Sequence, residues 1–400
     1  MPTGVSTYYG QRSPCRVTLV NAIRKAPFLF AFADNGNALA IIRMANKNLN
    51  QAKNAKKDEF YTQLVDIENE LKHYRAHFKD KVVLCNCDDP RVSNFFHYFS
   101  YNFEQLGLKK LITTCYKNLN RDLFSQNDSE KAIWLEYFGD RNGNRVPDPE
   151  EIGIHYFNGD GDFRSKECIE LLKQADIVVT NPPFSLFREF LEILVKFEKQ
   201  FLIIGNVNAI SYKETFQLVK SNRLWLGASI HSGDREFGVP KDYPLNAAGC
   251  RRDKNGNKFI RVKGVRWFTN LDYKERHEDL ILYKRYSPEE YPKYDNYDAI
   301  NVDKTAEISM DYDGVMGVPI TFLDKYNPEQ FEIVGLDRYV EDNPHYGHRF
   351  TINHKETYAR ILIRRRQRMG DVVGQPTTYQ QPETTLPIAA NDPESYNQNQ

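Results

Sequence analysis

The chain has 400 residues, of which 40% are hydrophobic and 13% aromatic, and its basic and acidic side chains cancel to a net charge of zero. That length implies about two to three domains with sizeable cores, and the charge balance excludes binding to nucleic acid by overall charge, so any such site must be a local patch. No stretch reaches the ~18 apolar residues of a membrane span and no basic-then-apolar leader opens the chain, so a soluble, cytoplasmic protein without a membrane partner is expected.

Residues 1–57 read as an N-terminal arm, ending in a Lys/Asn-rich run from 43 to 57 that suits a solvated, partly helical segment or a phosphate contact. Phe60, Leu64, Ile67, Leu71, Tyr74 and Phe78 follow at helical spacing and predict an amphipathic helix. Val82–Leu84 reads as a buried strand that runs into the turn at residues 85–90. An aromatic helix with Phe95, Phe96, Phe99, Phe103 and Leu106 on one side comes next, then a strand over 111–114 and a loop-rich excursion over 120–151. Further strands are expected at 154–157, before Asn181, and at 201–204, 224–226 and 259–268. Ser185 is placed to cap a helix over 186–197, and Ser211 with Glu214 forms a capping box for another. Strands alternating with helices predict a mainly parallel, doubly wound sheet over 58–270. Residues 271–369 change character to Pro/Tyr/Asp-rich loops with short strands near 318–322 and 331–334. They end in the basic run 360–368, read as an edge strand with a cationic rim or as a solvated terminus. Residues 370–400 are Gln/Pro/Thr/Asn-rich, carry four acidic and no basic side chains, and are expected to be disordered. The six cysteines fall in no paired zinc spacing and read as reduced thiols.

The chemistry concentrates in Asn181-Pro182-Pro183-Phe184, directly after the apolar run 177–179. Proline cannot continue a central strand, and Asn before Pro is pushed out of the helical region, so a stiff loop forms at the carboxyl end of a strand, where open α/β sheets bind ligands. The Asn181 side-chain oxygen and the Pro182 carbonyl can both accept hydrogen bonds from an aromatic amino group. They would thereby favour the positive charge that grows on nitrogen as it attacks a methyl group. Phe184 offers a face on which an extruded base can stack. The same four residues also suit a plain turn with Phe184 in the core. Loops after two other strands hold Asp88 and Asp89, and Asp160-Gly161-Asp162-Phe163, where carboxylates could meet an adenine amino group or a cationic methionine moiety. Asp140, Asn142, Asn144 and Glu151 match positions 1, 3, 5 and 12 of a calcium loop, but Arg145 stands where Gly makes the sharp turn, so no metal is expected.

In this order the segments resemble an adenine-specific DNA methyltransferase of the EcoRI type. The resemblance runs through residues 58–62, 83–96, 159–165, 180–185, 291–302 and 314–322, covering most of 55–340. It implies a Rossmann-like doubly wound methyltransferase fold dependent on S-adenosylmethionine, with a smaller α+β DNA-recognition region over 271–369. It also implies methyl transfer to N6 of an adenine flipped out of duplex DNA, and is compatible with a cognate restriction endonuclease acting on the same site. Phe60, Tyr61 and Thr62 would lie against the methionine end of the cofactor. Cys85, Asn86 and Asp88 would replace the usual Gly-rich turn, and Asp160, Asp162 and Phe163 would serve the adenine moiety. Asn181, Pro182, Pro183 and Phe184 would hold the target base, and Arg360, Arg364, Arg365, Arg366 and Arg368 the DNA phosphates. The chain departs from the pattern in lacking Gly-x-Gly in the first loop and an acidic residue at the end of strand two, so the ribose contact has no assigned residue. Trp267 lies where related enzymes carry an aromatic against the flipped base, though core packing explains it as well. Cytosine N4, an RNA adenine or a protein glutamine amide would present a similar amino group, and a catalytically silent nucleic-acid-binding module could keep the same fold.

Overall fold

The computed structural model describes residues 60–86, 93–115, 132–144, 147–148, 150–239, 250–340 and 347–367. The arm 1–57, Asp88, Arg368 and the tail 370–400 therefore lie outside the described residues. Contacts divide the chain into two units at Arg365/Arg366, and every described helix and strand belongs to the first.

Six α-helices are described: α1 Leu64–Leu71, α2 Asn94–Tyr101, α3 Phe103–Leu106, α4 Lys166–Gln174, α5 Phe187–Lys196 and α6 Lys213–Lys220. Strands β1 Val82–Cys85, β2 Lys110–Cys115, β3 Ile133–Tyr137, β4 Ile152–Tyr156, β5 Ile177–Thr180, β6 Gln200–Asn206, β7 Trp225–Leu226 and β11 Val265–Thr269 form one sheet, ordered β4-β3-β2-β1-β5-β6-β11-β7. Between β7 and β11, strands β8 Asp234–Gly238, β9 Arg251–Arg252 and β10 Lys258–Lys263 make a separate three-stranded sheet. A four-stranded sheet of β12 Ile300–Asn301, β13 Met316–Pro319, β14 Phe331–Leu336 and β17 Arg360–Arg365, and a short pair of β15 Thr351–Ile352 and β16 Lys355–Glu356, complete the described strands.

The central strands are apolar on both faces because both faces are covered. Val82 and Leu84 of β1, Val178 of β5, and Phe201 and Ile203 of β6 enter one core with α4, α5 and α6. Val83 and Cys85, Ile177 and Val179, and Leu202 and Ile204 enter a second core with α1, α2 and α3. β1 pairs in parallel with β2 on one side and β5 on the other. The chain leaves β1 over one face and β5 over the opposite face, so the strand order reverses between them. The carboxyl ends of β1 and β5 therefore mark a topological switch point, the place where open α/β sheets bind ligands.

Several elements differ from the sequence reading. Only β2-β1-β5-β6 run parallel; β3 and β11 are antiparallel to their neighbours, so the sheet is mixed. β3 lies inside the stretch read as loop, because its alternating burial carries a weaker signal than a continuous apolar run. α1 covers only Leu64–Leu71; Tyr74 and Phe78 are buried, but from a 3-10 turn and its flanks, and Phe60 lies in an extended segment. Ser185 sits in a 3-10 turn instead of capping α5, whose cap is Leu186. Ser211 bonds back to the Asn208 carbonyl instead of capping α6. Residues 258–269 form two strands of different sheets, with Gly264 at φ 70° making the turn. The basic run is not an edge strand: β17 lies between β13 and β14. The core that holds Leu84 and Phe190 continues into Met316, Phe331 and Ile361, so it crosses the 270/271 boundary without a break.

Candidate active site

β5 ends at Thr180, whose hydroxyl donates to the Asn86 carbonyl and ties the carboxyl ends of β5 and β1 together. Pro182 and Pro183 follow, and the chain then tightens into the 3-10 turn Phe184–Leu186. Asn181 is 7% exposed. Its Nδ2 donates to the Phe60 carbonyl at 2.7 Å. A carbonyl can only accept, so this contact fixes which end of the amide is which. Oδ1 is then turned the other way, buried and without a partner. An unpaired buried acceptor costs about 1–3 kcal/mol, which is recovered when a donor arrives.

The segment that orients Asn181 is itself held at three points. Phe60 supplies the carbonyl just described, Tyr61 exchanges backbone bonds of 2.8 and 2.9 Å with Gly238 of β8, and the Thr62 carbonyl accepts from Asn94 Nδ2 at 2.7 Å. Thr62 Oγ1 and Asn86 Oδ1 are also buried without partners. Three unpaired oxygens thus lie on the segments around the carboxyl ends of β1 and β5, and their chemistry fits a polar ligand bearing N–H and O–H donors. Thr113 Oγ1 of β2, in register with Cys85, is a fourth such atom.

Phe184 is half-buried and stands edge-on to Phe60 at 5.5 Å and to Phe237 at 6.2 Å. Phe237, from β8, was not singled out from the sequence, since an inserted strand far along the chain gives no sign of returning to this loop. Trp267 is fully buried and packs edge-on against Phe95 at 6.1 Å, so it is a core residue, not one against a base.

The remaining expected residues divide. Gly161 has φ 76°, and a Cβ there would come within 2.6 Å of the Cys115 carbonyl and 2.8 Å of Ala132. Only glycine lets the 158–163 loop dock on the end of β2. Asp160 is exposed, with Oδ1 accepting from the Asp162 amide. The Asp162 carboxylate is committed to the Arg164 guanidinium at 2.6 Å, and Arg164 also pairs with Glu189. These bonds, Asp162 first, push the Arg164 pKa up. Phe163 is buried, edge-on to Phe190 at 5.1 Å with Arg164 over its ring, so its surface is already occupied by protein. The Cys85 side chain is buried in the aromatic core, which leaves its backbone as what it offers a ligand. Arg360 is a correction: it is 6% exposed, and its guanidinium is spent on Asn301 at 2.9 Å and Asp303 at 3.1 Å, so it cannot reach phosphates. Arg364 and Arg366 are exposed, Arg364 facing Glu332 at 3.5 Å, and Arg365 donates to the Met310 carbonyl.

Among the described residues no helix is long and apolar enough to cross a membrane, and Cys85, Cys115, Cys168 and Cys250 are outside any disulfide. Burial pushes the Cys168 thiol up to about 11, which favours the protonated, poorly nucleophilic form.

Three proteins similar to this chain bear on the site. It is 54% identical to the type II methyltransferase M.EcoRI of Escherichia coli, over 80% of this chain and 97% of the relative. It is 40% identical to the type II methyltransferase M.MgeORF184P of Mycoplasma genitalium, over 80% and 99%, and 39% identical to M.MpnI of Mycoplasma pneumoniae, over 80% and 98%. No solved structure matches the chain. The family model described as adenine-specific methyltransferase EcoRI matches residues 48–366, and the chain belongs to the EcoRI family of adenine-specific methyltransferases.

Proposed function

We propose that the protein is a site-specific DNA methyltransferase that modifies N6 of an adenine flipped out of duplex DNA, with S-adenosylmethionine as methyl donor. The observation that carries this reading is the buried, unpaired Oδ1 of Asn181. Adenine N6 is a poor nucleophile because its lone pair is delocalised into the ring. Asn181 Oδ1 and the Pro182 carbonyl accept its two N–H bonds and favour the charge that develops on nitrogen. Pro182 and Pro183 keep the acceptors from relaxing, and Phe184, backed by Phe60 and Phe237, stacks on the extruded ring. When bound, S-adenosylmethionine supplies a methyl group on a cationic sulfur. Phe60, Tyr61, Thr62, Asn86 and Asp160 are the residues of this chain that would hold it. The reversal of strand order between β1 and β5 supports a Rossmann-like catalytic region over 58–270. Residues 271–369, with Arg364, Arg365 and Arg366 at their end, are the DNA-recognition region in this reading. A cognate endonuclease cutting the same unmethylated site is the functional partner it implies.

Asn181→Ala tests the mechanism. The variant should bind S-adenosylmethionine as wild type does, by calorimetry, and transfer methyl to duplex DNA at least ~100-fold more slowly. Undiminished transfer overturns the role of Asn181. Digesting the product and identifying the nucleoside separates N6-methyladenine from N4-methylcytosine, and a protein that binds DNA but no cofactor would be a silent module.

A further inference from the structure

The turn between β3 and β4 carries oxygen donors that methyl transfer does not use. Asp140, Asn142, Asn144, Asp148 and Glu151 stand at positions 1, 3, 5, 9 and 12 of a calcium-loop count, with Arg145 at the sixth position where Gly is the rule. Among the described residues of the 140–151 stretch, Gly143 has a left-handed φ of 79° with open space around it. Asn142 and Asn144 bring their amides to the same Asp148 oxygen, at 2.6 and 3.2 Å. Glu151 supplies the independent sign of a ligand. It is 6% exposed, and its carboxylate reaches back into the turn so that Oε1 accepts from the Arg141 and Asn142 amides at 2.6 and 3.2 Å. Its Oε2 is buried with no partner. A buried carboxylate oxygen without a donor is costly, and the last residue of a calcium loop is the one that binds with both oxygens.

We propose that this turn is a cation site that takes calcium through Asp140, Asn142, Asn144, Asp148 and Glu151. All five donors are oxygen, which disfavours zinc. Two amides and three carboxylates suit the irregular, many-oxygen shell of calcium better than the rigid octahedron of magnesium. Among the described residues no group of three or more His, Cys, Asp or Glu is gathered closely enough to hold a metal ion as the turn stands, so binding requires the turn to close on the cation. The Asn142 and Asn144 amides, now donating to Asp148, swing their oxygens inward as it binds. The site clamps β3 to β4 at the end of the hairpin opposite the 158–163 loop, and it does not depend on what the sheet catalyses.

The test uses the full chain, stripped with a chelator and titrated with calcium chloride by calorimetry, with terbium luminescence excited through Trp134 and Tyr137 of β3 as a second readout. One calcium should bind with a Kd of roughly 10⁻⁵ to 10⁻³ M, displace terbium and raise Tm. Asp148→Asn, which keeps the side chain's shape, and Glu151→Gln should each weaken binding at least tenfold while leaving the circular dichroism spectrum unchanged for Asp148→Asn. The proposal is overturned by an absence of calcium binding at several millimolar, by binding that Asp148→Asn leaves intact, or by magnesium that competes as well as calcium.

Discussion

At the scale of single residues, the amide of Asn181 does two jobs with its two ends. Nδ2 anchors to the Phe60 carbonyl while Oδ1 waits as an acceptor. Asn181→Asp keeps the acceptor but sets a carboxylate against that carbonyl, so its transfer rate should fall between those of wild type and Asn181→Ala. A rate equal to that of Asn181→Ala in single-turnover assays would show that the anchor matters more than the acceptor. Phe237→Leu keeps most of the volume behind Phe184 but removes the edge-on support; a loss of roughly 10- to 100-fold in kcat with cofactor affinity unchanged is expected. His97 makes a pH prediction. Burial holds its imidazole down at about 4, below the unfolded value near 6.5, so it folds neutral. Its stability contribution is complete above pH ~6.5 and is lost progressively as pH falls from there to the folded value, worth on the order of 3 kcal/mol. Denaturation at pH 7 and pH 4.5 should show wild type losing more stability than His97→Gln. Asn181 and Phe184 could be singled out from the sequence because the proposed chemistry is local to four residues. Phe237 was not, because its place beside Phe184 is decided by where an inserted sheet returns.

At the scale of elements, the buried faces of β1, β2 and β5 were readable from hydrophobic spacing with closely matching boundaries, while the single aromatic helix read through Leu106 is broken at Asn102 into α2 and α3. The misreadings share a cause. Phe60, Tyr74 and Phe78 obey a helical period and are buried, yet only Leu64–Leu71 is an α-helix, because tertiary contacts hold the flanking residues in other conformations. Phe60 lies outside the helix, and its carbonyl meets Asn181. β17 reads as a cationic edge, but Arg360 finds Asn301 and Asp303 across the sheet, and no local pattern announces such partners. Gly161 is the element-scale test of the 158–163 loop that the proposal sets against the cofactor. Gly161→Ala adds about 1–2 kcal/mol of left-handed strain and a clash with the Cys115 carbonyl. It should lower Tm and weaken S-adenosylmethionine binding. Gly159→Ala, which carries no such φ, should do so less.

At the scale of the whole molecule, the two larger sheets share a core, and a buried ion pair ties the larger sheet to the 3-10 turn at 320–325 that follows β13. Arg266 of β11 meets Asp324 at 2.7 Å, both side chains almost fully enclosed, and also donates to the His231 carbonyl. Removing one charge strands the other, so Asp324→Asn should cost about 3–5 kcal/mol in chemical denaturation. Arg266→Met with Asp324→Leu should recover much of that loss, unless the His231 contact is what holds the joint. Taken by itself, the sequence determined most of the strand-and-loop grammar and the family, because each rests on residues adjacent in the chain. The tertiary structure alone decided the mixed sheet, the orientation of Asn181 by Phe60, the burial of Arg360 and Phe163, and the pairing of Arg266 with Asp324. Each of those depends on groups tens to more than a hundred residues apart, whose meeting is set by which surfaces exclude water together and not by any local pattern.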